Sequence, residues 1–335
     1  MKAAVMYGKE DIRIETKAEP ELGLGEVLLK IKATGICGSD LPRFFQGHLR
    51  KTPLVLGHEF SGEIVKTEQK EDQYLIGKRA AAVPLLPCYK CSSCQNGYFG
   101  LCTNASFIGT KEDGSLTEYI SLNKTNLFFI DDNVTYEEAA MFEPSAVALH
   151  AVRQAGEVAG KSVLVIGSGN IGQLIIQWSR IFGAAHITAV DIQQTKRDLA
   201  LKSGAREALE EINDETFDFV FETVGLSQTL ETAIAHTSPK GTICYMAIPH
   251  KPITMEPETI GLVARKELTL KGTWMSYSAP FPGEEWELTN HYVKNGELKL
   301  HMLIDQAFSL EQAEEAFYYH LKKGELKGKV QVTND

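Results

Sequence analysis

The sequence predicts an α/β protein in two parts, a β-rich first part followed by a doubly wound parallel sheet. Three observations carry the prediction. The 335 residues suffice for about two domains of ordinary size, each burying its own core. The first 145 or so residues hold short apolar or alternating runs punctuated by Gly and Pro, with no repeat of helical period. From Lys161 onward strands alternate with helices, which implies crossover units and a parallel sheet.

Taken in order, the strand signals of the first part are "EVLLKIKATGIC" (26–37), "SGEIVKT" (61–67) and "KRAAAVPLL" (78–86). The second part opens with "SVLVIG" (162–167) and continues through "NIGQLIIQWSRIFGA", "HITAVD", "TKRDLALKSGA", "FDFVFETV", "SQTLETAIAHT", "GTICYMAI", "TIGLVARK" and "LTLKGTW". After the Pro-rich "SAPFPG" come two helical patterns, "EWELTNHYVKNG" and "SLEQAEEAFYYHLKKG", and a short strand, "GKVQV". The divisions expected are 1–145, 146–281 and 282–335, with the last segment packing back on the first part.

The formal charge of −10, with no Lys/Arg-rich run, argues against a broad nucleic-acid or anionic-membrane footprint. The start, "MKAAVMYGKEDIRIE", has no basic segment leading into an apolar core and no small-residue cleavage site, and no stretch of about 18 apolar residues runs free of charge. The expectation is a soluble cytoplasmic protein with small-molecule partners. Thiols are kept reduced in that compartment, so clustered cysteines there more often bind metal or do redox chemistry than form structural disulfides.

In "VLVIGSGNIGQLIIQW" the spacing G-x-G-x-x-G falls on Gly167, Gly169 and Gly172, straight after an apolar strand and at the mouth of a helix. Glycines there permit the tight turn, the approach of backbone to a pyrophosphate and the packing of helix on strand, and the helix N-terminus, with Asn170 and Ile171, faces the phosphates. Asp191 ends the next strand, in "ITAVDIQ", where it suits the hydroxyls of an adenosine ribose and repels a 2′-phosphate. NAD is thereby favoured over NADP, with Lys196 and Arg197 close by as the contrary signal. Val224 in "ETVG" and Ala247–Ile248 in "MAIP" follow strands of this sheet and are candidates to line a nicotinamide pocket.

"CYKCSSCQNGYFGLC" spaces Cys88, Cys91, Cys94 and Cys102 as C-x-x-C-x-x-C-x(7)-C. Four thiolates reachable from one loop suit tetrahedral zinc with no position left for substrate, hence a structural site. An iron–sulfur cluster or redox dithiol is the alternative, though ferredoxin runs differ in spacing. A dispersed set is formed by Cys37 in "GICGSD", His58 and Glu59 in "LGHEFSG" and Glu143 in "FEPSA". Singly each has an ordinary explanation: a buried Cys as a small hydrophobe, a surface His, an acid at the start of a helix.

Together "GICGSD", "GHEFSGEIV", the cysteine loop, "FEPSAVALHA" and "VLVIGSGNIG" resemble, in order and separation, the zinc-dependent medium-chain alcohol dehydrogenases over essentially the whole chain. The resemblance implies a GroES-like catalytic domain split around a Rossmann domain, with two zinc ions. Cys37 and His58 would ligate the catalytic zinc, Glu59 would be a direct or exchangeable ligand of it, and the four-cysteine loop, Cys88, Cys91, Cys94 and Cys102, would hold the structural zinc. Glu143 would be a further ligand of the catalytic zinc, standing where alcohol dehydrogenases use a second cysteine, as in the sorbitol-dehydrogenase branch, which points to polyols. Ser39 would accept the alcohol's proton, and Asp40 would hydrogen-bond the second nitrogen of His58. "GSDLPRFF", "VPLLPCYKC" and "KGTWMSYSAPFPGEEWE" are similar to the members of the family that act on polyol phosphates, and Arg43, His48, Arg50 and Lys51 form a candidate phosphate-binding group.

The activity implied is hydride transfer between NAD and a secondary alcohol of a sugar-alcohol phosphate. Alternatives are a free-polyol or threonine-type dehydrogenase, a non-catalytic relative that has lost the metal, and a zinc-finger-like nucleic-acid module, which the net acidity disfavours. The resemblance also implies a homodimer or homotetramer joined through the edge strand "LTLKGTW".

Overall fold

The computed structural model describes residues 1–322 and 324–334. They form two compact units, one of Met1–Glu143, Tyr277–Gly296 and the chain from Leu300 on, the other of Pro144–Ser276 with Glu297–Lys299. The dividing points, Glu143/Pro144 and Ser276/Tyr277, differ by a few residues from those expected, and the last segment is not undivided. Glu297–Lys299 lies with the second unit because Arg180 donates to the Glu297 carbonyl (2.8 Å) and the Lys299 N–H donates to Gln177 Oε1 (2.8 Å).

In the first unit a mixed sheet runs in the order Leu127–Phe129, Arg79–Ala82, Glu59–Thr67, Glu26–Gly35, Lys329–Thr333, Ile304–Ser309, with Tyr119–Asn123 also paired to Glu26–Gly35. Val27, Leu29, Ile31, Phe60, Ile64 and Ala80 fill one core beneath it. The central strand Glu26–Gly35 is buried along most of its length, and the lysines that interrupt its apolar residues, Lys30 and Lys32, fall at its less buried positions. Its register sets Gly35 opposite Glu59 on one side and Gln331 on the other. The end of the chain is thereby brought beside the residue that follows His58. Helices that the sequence did not signal, Leu41–Gln46, Ser92–Gln95 and Tyr136–Ala139, span one turn or little more, too short to write a period.

The second unit is a six-stranded sheet with every neighbour parallel, in the order Glu207–Leu209, His186–Val190, Ser162–Ile166, Phe217–Glu222, Thr237–Tyr245, Thr269–Gly272. Counted along the chain this is 3-2-1-4-5-6, so the order reverses beside the first strand. The glycine turn sits at the carboxyl end of that strand and leads into the helix Asn170–Ile181, N-capped by Gly169. At Gly172 a Cβ would collide with the Gly167 carbonyl oxygen, so the helix can lie this close to the turn only with glycine there. The α/β class, the β-rich sheet and the doubly wound sheet are those the sequence predicts. Among the described residues no helix is long and apolar enough to cross a membrane.

Candidate active site

Cys88 follows the short strand Leu85–Leu86, Cys91 caps the one-turn helix Ser92–Gln95 that carries Cys94, and Cys102 ends the turn Phe99–Leu101. All six cysteines are free thiols. The four Sγ atoms lie within 4.8 Å of one another, with Cys91–Cys102 at 3.9 Å and Cys88–Cys94 at 4.0 Å. Four sulfurs held about 2.3 Å from one zinc ion stand roughly 3.8 Å apart, whereas a disulfide needs about 2.05 Å. Backbone N–H groups already point at the sulfurs: those of Lys90 and Cys91 reach Cys88 Sγ at 3.5 and 3.4 Å, and that of Cys88 reaches Cys102 Sγ at 3.3 Å. Such donors favour thiolate, and the Cys91 thiol is held down at about 6 chiefly by the N–H groups of Cys94 and Thr103. The loop therefore fits a closed tetrathiolate metal site.

The dispersed set converges in the same unit. Ligand atoms of Cys37, His58 and Glu59 lie within 4.8 Å of one another, two of the three side chains in the buried interior. Cys37 follows the end of Glu26–Gly35, while Glu59 opens the adjacent strand, and the register Gly35↔Glu59 brings the two together. A Cβ on Gly35 would strike Glu59 Oε2, so glycine is what lets this carboxylate fold over the sheet. Lys329, only 2% exposed, donates to Glu59 Oε2 at 2.5 Å and to the Ile36 carbonyl at 3.3 Å. Burial works against its charge, but Glu59 and Cys37 outweigh it and hold the ammonium pKa above the ordinary lysine value. His58 behaves likewise: burial pushes the imidazole down, and the field of Asp40 and Cys37 carries it up to about 10. This concentration of negative charge around a buried imidazole with an unpartnered Nδ1 is what a divalent cation neutralises. The donor set of one thiolate, one imidazole and carboxylate suits zinc.

Glu143 is not within that mutual span. It begins the helix Phe142–Ala155, is 8% exposed, and accepts a hydrogen bond from the Tyr277 hydroxyl at 3.1 Å. Burial lifts its pKa to about 7, with His58 opposing and Glu59 adding to the rise. The structure thus gathers Cys37, His58 and Glu59 and leaves Glu143 facing them.

One expectation is corrected here. Asp40 Oδ1 is 3.6 Å from His58 Nδ1, beyond hydrogen-bond range. Its oxygens instead accept from the Cys37 N–H (3.1 Å) and from Arg43 (3.0 Å), so Asp40 acts on His58 through its charge. The candidate phosphate group, Arg43, His48, Arg50 and Lys51, has acidic neighbours of its own. Through one guanidinium nitrogen Arg43 donates to Asp40 (3.0 Å), to Ser39 Oγ (3.2 Å) and to the Ser39 carbonyl (2.7 Å). Lys51 faces Glu112 and Asp113 at 4.0 and 3.9 Å, which repel a phosphate, and His48 and Arg50 are exposed. Sequence reasoning also missed Lys329 and Tyr277. Lys329 sits in an unremarkable strand 270 residues from its partner, and the Tyr277 hydroxyl meets a residue 134 positions away, so neither carries a local signal.

In the second unit Asp191 Oδ2 accepts the Ser168 N–H of the glycine turn (2.9 Å) and Oδ1 that of Gln193 (2.8 Å). Arg197 donates to the Asp191 carbonyl (2.7 Å) and to Gln194 (2.7 Å) and is 9% exposed. Asn170 and Ile171 open the helix, and no atom lies near the Cβ position of Gly169. The Val224 N–H is fixed by buried Glu222 (2.9 Å), while the Val224 and Ile248 side chains are 42% and 56% exposed and Ala247 is half-buried. Lys196 is tied at its carbonyl by Gln173 (3.0 Å).

A β-rich sheet carrying two clusters of zinc-type donors, together with a dinucleotide-type sheet, defines the class, and comparison with known proteins gives the same answer. Residues 23–132 match the family described as alcohol dehydrogenase GroES-like domain, and residues 170–290 that described as zinc-binding dehydrogenase. Galactitol 1-phosphate 5-dehydrogenase of Escherichia coli (strain K12) is 35% identical over 94% of this chain and 95% of its own. Sorbitol dehydrogenase of Bacillus subtilis (strain 168) is 32% identical over 94% and 92%. The crystal structure of galactitol-1-phosphate dehydrogenase from Escherichia coli superimposes with a TM-score of 0.92 at 34% identity, covering 100% of both chains. The chain belongs to the zinc-binding, medium-chain alcohol dehydrogenase family of oxidoreductases.

Proposed function

We propose that the chain is a zinc- and NAD-dependent dehydrogenase that oxidises a secondary alcohol of a sugar-alcohol phosphate to a ketose phosphate. The observation that carries this is the buried Cys37–His58–Glu59 cluster faced by Glu143, a carboxylate-rich donor set rather than a second cysteine. The polyol-phosphate relative at 35% identity supports the phosphate, and the sorbitol relative at 32% keeps the free polyol as the second reading. NAD rather than NADP is favoured because a carboxylate, Asp191, ends the second strand and the nearby Arg197 is already engaged.

Cys37, His58, Glu59 and Glu143 would hold the catalytic zinc, and Cys88, Cys91, Cys94 and Cys102 the structural one. When bound, the catalytic zinc supplies the Lewis acidity that lowers the pKa of an alcohol, and NAD accepts the hydride. Ser39 Oγ, on an exposed residue two positions from Cys37, takes the alcohol's proton and passes it to solvent. Arg43 fixes both Ser39 oxygens and Asp40, so one guanidinium orients the proton acceptor and the charge beside His58. Lys329 holds Glu59 ionised in the interior.

The chain is further proposed to form a homo-oligomer through the strand Thr269–Gly272. That strand pairs on one side only among the described residues, and Leu270 on it is 46% exposed. The free, reduced thiol cluster suits the cytoplasm. NADH formation should be measured over hexitol and pentitol phosphates beside the corresponding free polyols. Turnover on phosphates with little on free polyols is expected; turnover on free polyols alone would overturn the phosphate assignment.

A further inference from the structure

Tyr277 lies in the "KGTWMSYSAPFPGEEWE" segment, where the sequence assigns it no role, and its contacts reach toward both proposed metal sites. Its side chain is 4% exposed, and its hydroxyl donates to Glu143 Oε1 at 3.1 Å. Its backbone is fastened to the cysteine loop: the Gly100 N–H donates to the Tyr277 carbonyl at 3.0 Å, and two residues on the Ala279 N–H donates to the Gly97 carbonyl at 3.0 Å. The rings repeat the connection. Phe281 stacks on Tyr277 (centroids 6.3 Å, planes 30° apart) and receives the edges of Phe99 at 5.6 Å and Tyr89 at 6.3 Å. Gly97, Phe99 and Gly100 all lie between Cys94 and Cys102, so the segment that closes around the four thiols is the one that holds Tyr277.

Buried aromatic contacts and backbone hydrogen bonds of this kind restrict where a hydroxyl can sit, and a neutral donor to a carboxylate aims it. A free carboxylate at Glu143 has several rotamers; one that accepts from Tyr277 has its Oε1 committed, in a place where the charges of His58 and Glu59 act on it. We propose that Tyr277 is a positioning residue for Glu143, and that the four-cysteine lobe acts on the reaction through this hydroxyl as well as holding its own fold. The proposal rests on the zinc-dehydrogenase reading for its kinetic arm alone.

The test uses the full-length, zinc-loaded protein with three variants, Tyr277→Phe, Phe281→Leu and the two combined. Tyr277→Phe deletes one oxygen and keeps the ring stack, so both zinc ions should remain, measured as metal per chain. Its kcat on the best polyol substrate should fall about 10- to 100-fold, the loss of one hydrogen bond to a charged group, with KM for NAD unchanged. Phe281→Leu should give a smaller loss that vanishes in the Tyr277→Phe background, because both changes act on one carboxylate. A crystal structure of Tyr277→Phe should show the Glu143 carboxylate turned from its place, and this arm needs no substrate. Unchanged kcat with an unmoved Glu143, or losses that add fully in the double variant, would overturn the proposal. If the wild-type chain oxidises no polyol or polyol phosphate, the functional reading fails, and the Glu143 position alone decides this one.

Discussion

The residue that governs the electrostatics of the site is Lys329. An ammonium and a carboxylate, 2% and 1% exposed, meet at 2.5 Å beside a thiol and an imidazole. Replacing one partner of such a pair leaves an uncompensated buried charge. Lys329→Met should therefore lower the denaturant-unfolding free energy of zinc-stripped protein by about 3–5 kcal/mol, and adding Glu59→Gln should recover most of it. Ser39 answers to a different measurement: Ser39→Ala should cut kcat by about 10²-fold or more with zinc content unchanged, since only a proton acceptor is lost. At the cofactor, Asp191→Ala should weaken NAD binding by about tenfold or more and NADP far less, read by fluorescence titration with each reduced coenzyme. Equal weakening of both would assign Asp191 to the glycine turn, whose Ser168 N–H it accepts.

Among the elements, the central strand of the parallel sheet shows how a polar side chain can secure an apolar run. Asp218 Oδ2, near the start of Phe217–Glu222, accepts both the Ser162 N–H and the Ser162 hydroxyl, each at 2.9 Å. The backbone N–H is the larger influence and holds the Asp218 pKa below the ordinary carboxylate value. A depressed folded pKa means stability that is present in full above the unfolded value and lost as pH falls through the folded one. Asp218→Asn should thus lower the melting temperature at pH 7, and the gap to wild type should close below about pH 4. A gap independent of pH would mean that the side chain acts by shape. The cysteine loop and the glycine turn were legible from sequence because each is local: four ligands within fifteen residues, and a turn whose glycines are set by backbone approach at Gly172. The one-turn helices and the strand Ile304–Ser309 were not, since so few residues write no period.

At the scale of the molecule, the outer strand Thr269–Gly272 leaves its edge open among the described residues, and Leu270 with Ile260 (each 46% exposed) adds apolar surface on the same unit. An open, partly apolar edge is a template for another strand. Leu270→Asp should shift the chain toward monomer in size-exclusion chromatography with light scattering, while its circular dichroism stays that of the wild type. A monomeric wild-type chain would remove the proposed association altogether.

By itself the sequence determined the α/β class, the parallel sheet, the closed four-thiol loop and the dinucleotide turn, because each is written by residues a few positions apart whose spacing has one physical use. It also marked Cys37, His58, Glu59 and Glu143, but only through their resemblance to a family, since side chains dispersed over 107 positions (143 − 37 + 1) have no spacing rule. Tertiary structure alone decided how they are served. It set Asp40 at 3.6 Å from His58 instead of in a hydrogen bond, turned one nitrogen of Arg43 onto Ser39 and Asp40, brought Lys329 to Glu59 and tied Glu143 to Tyr277. Those are contacts between strands and loops far apart in the chain, and their energies depend on burial and distance, which no local pattern encodes.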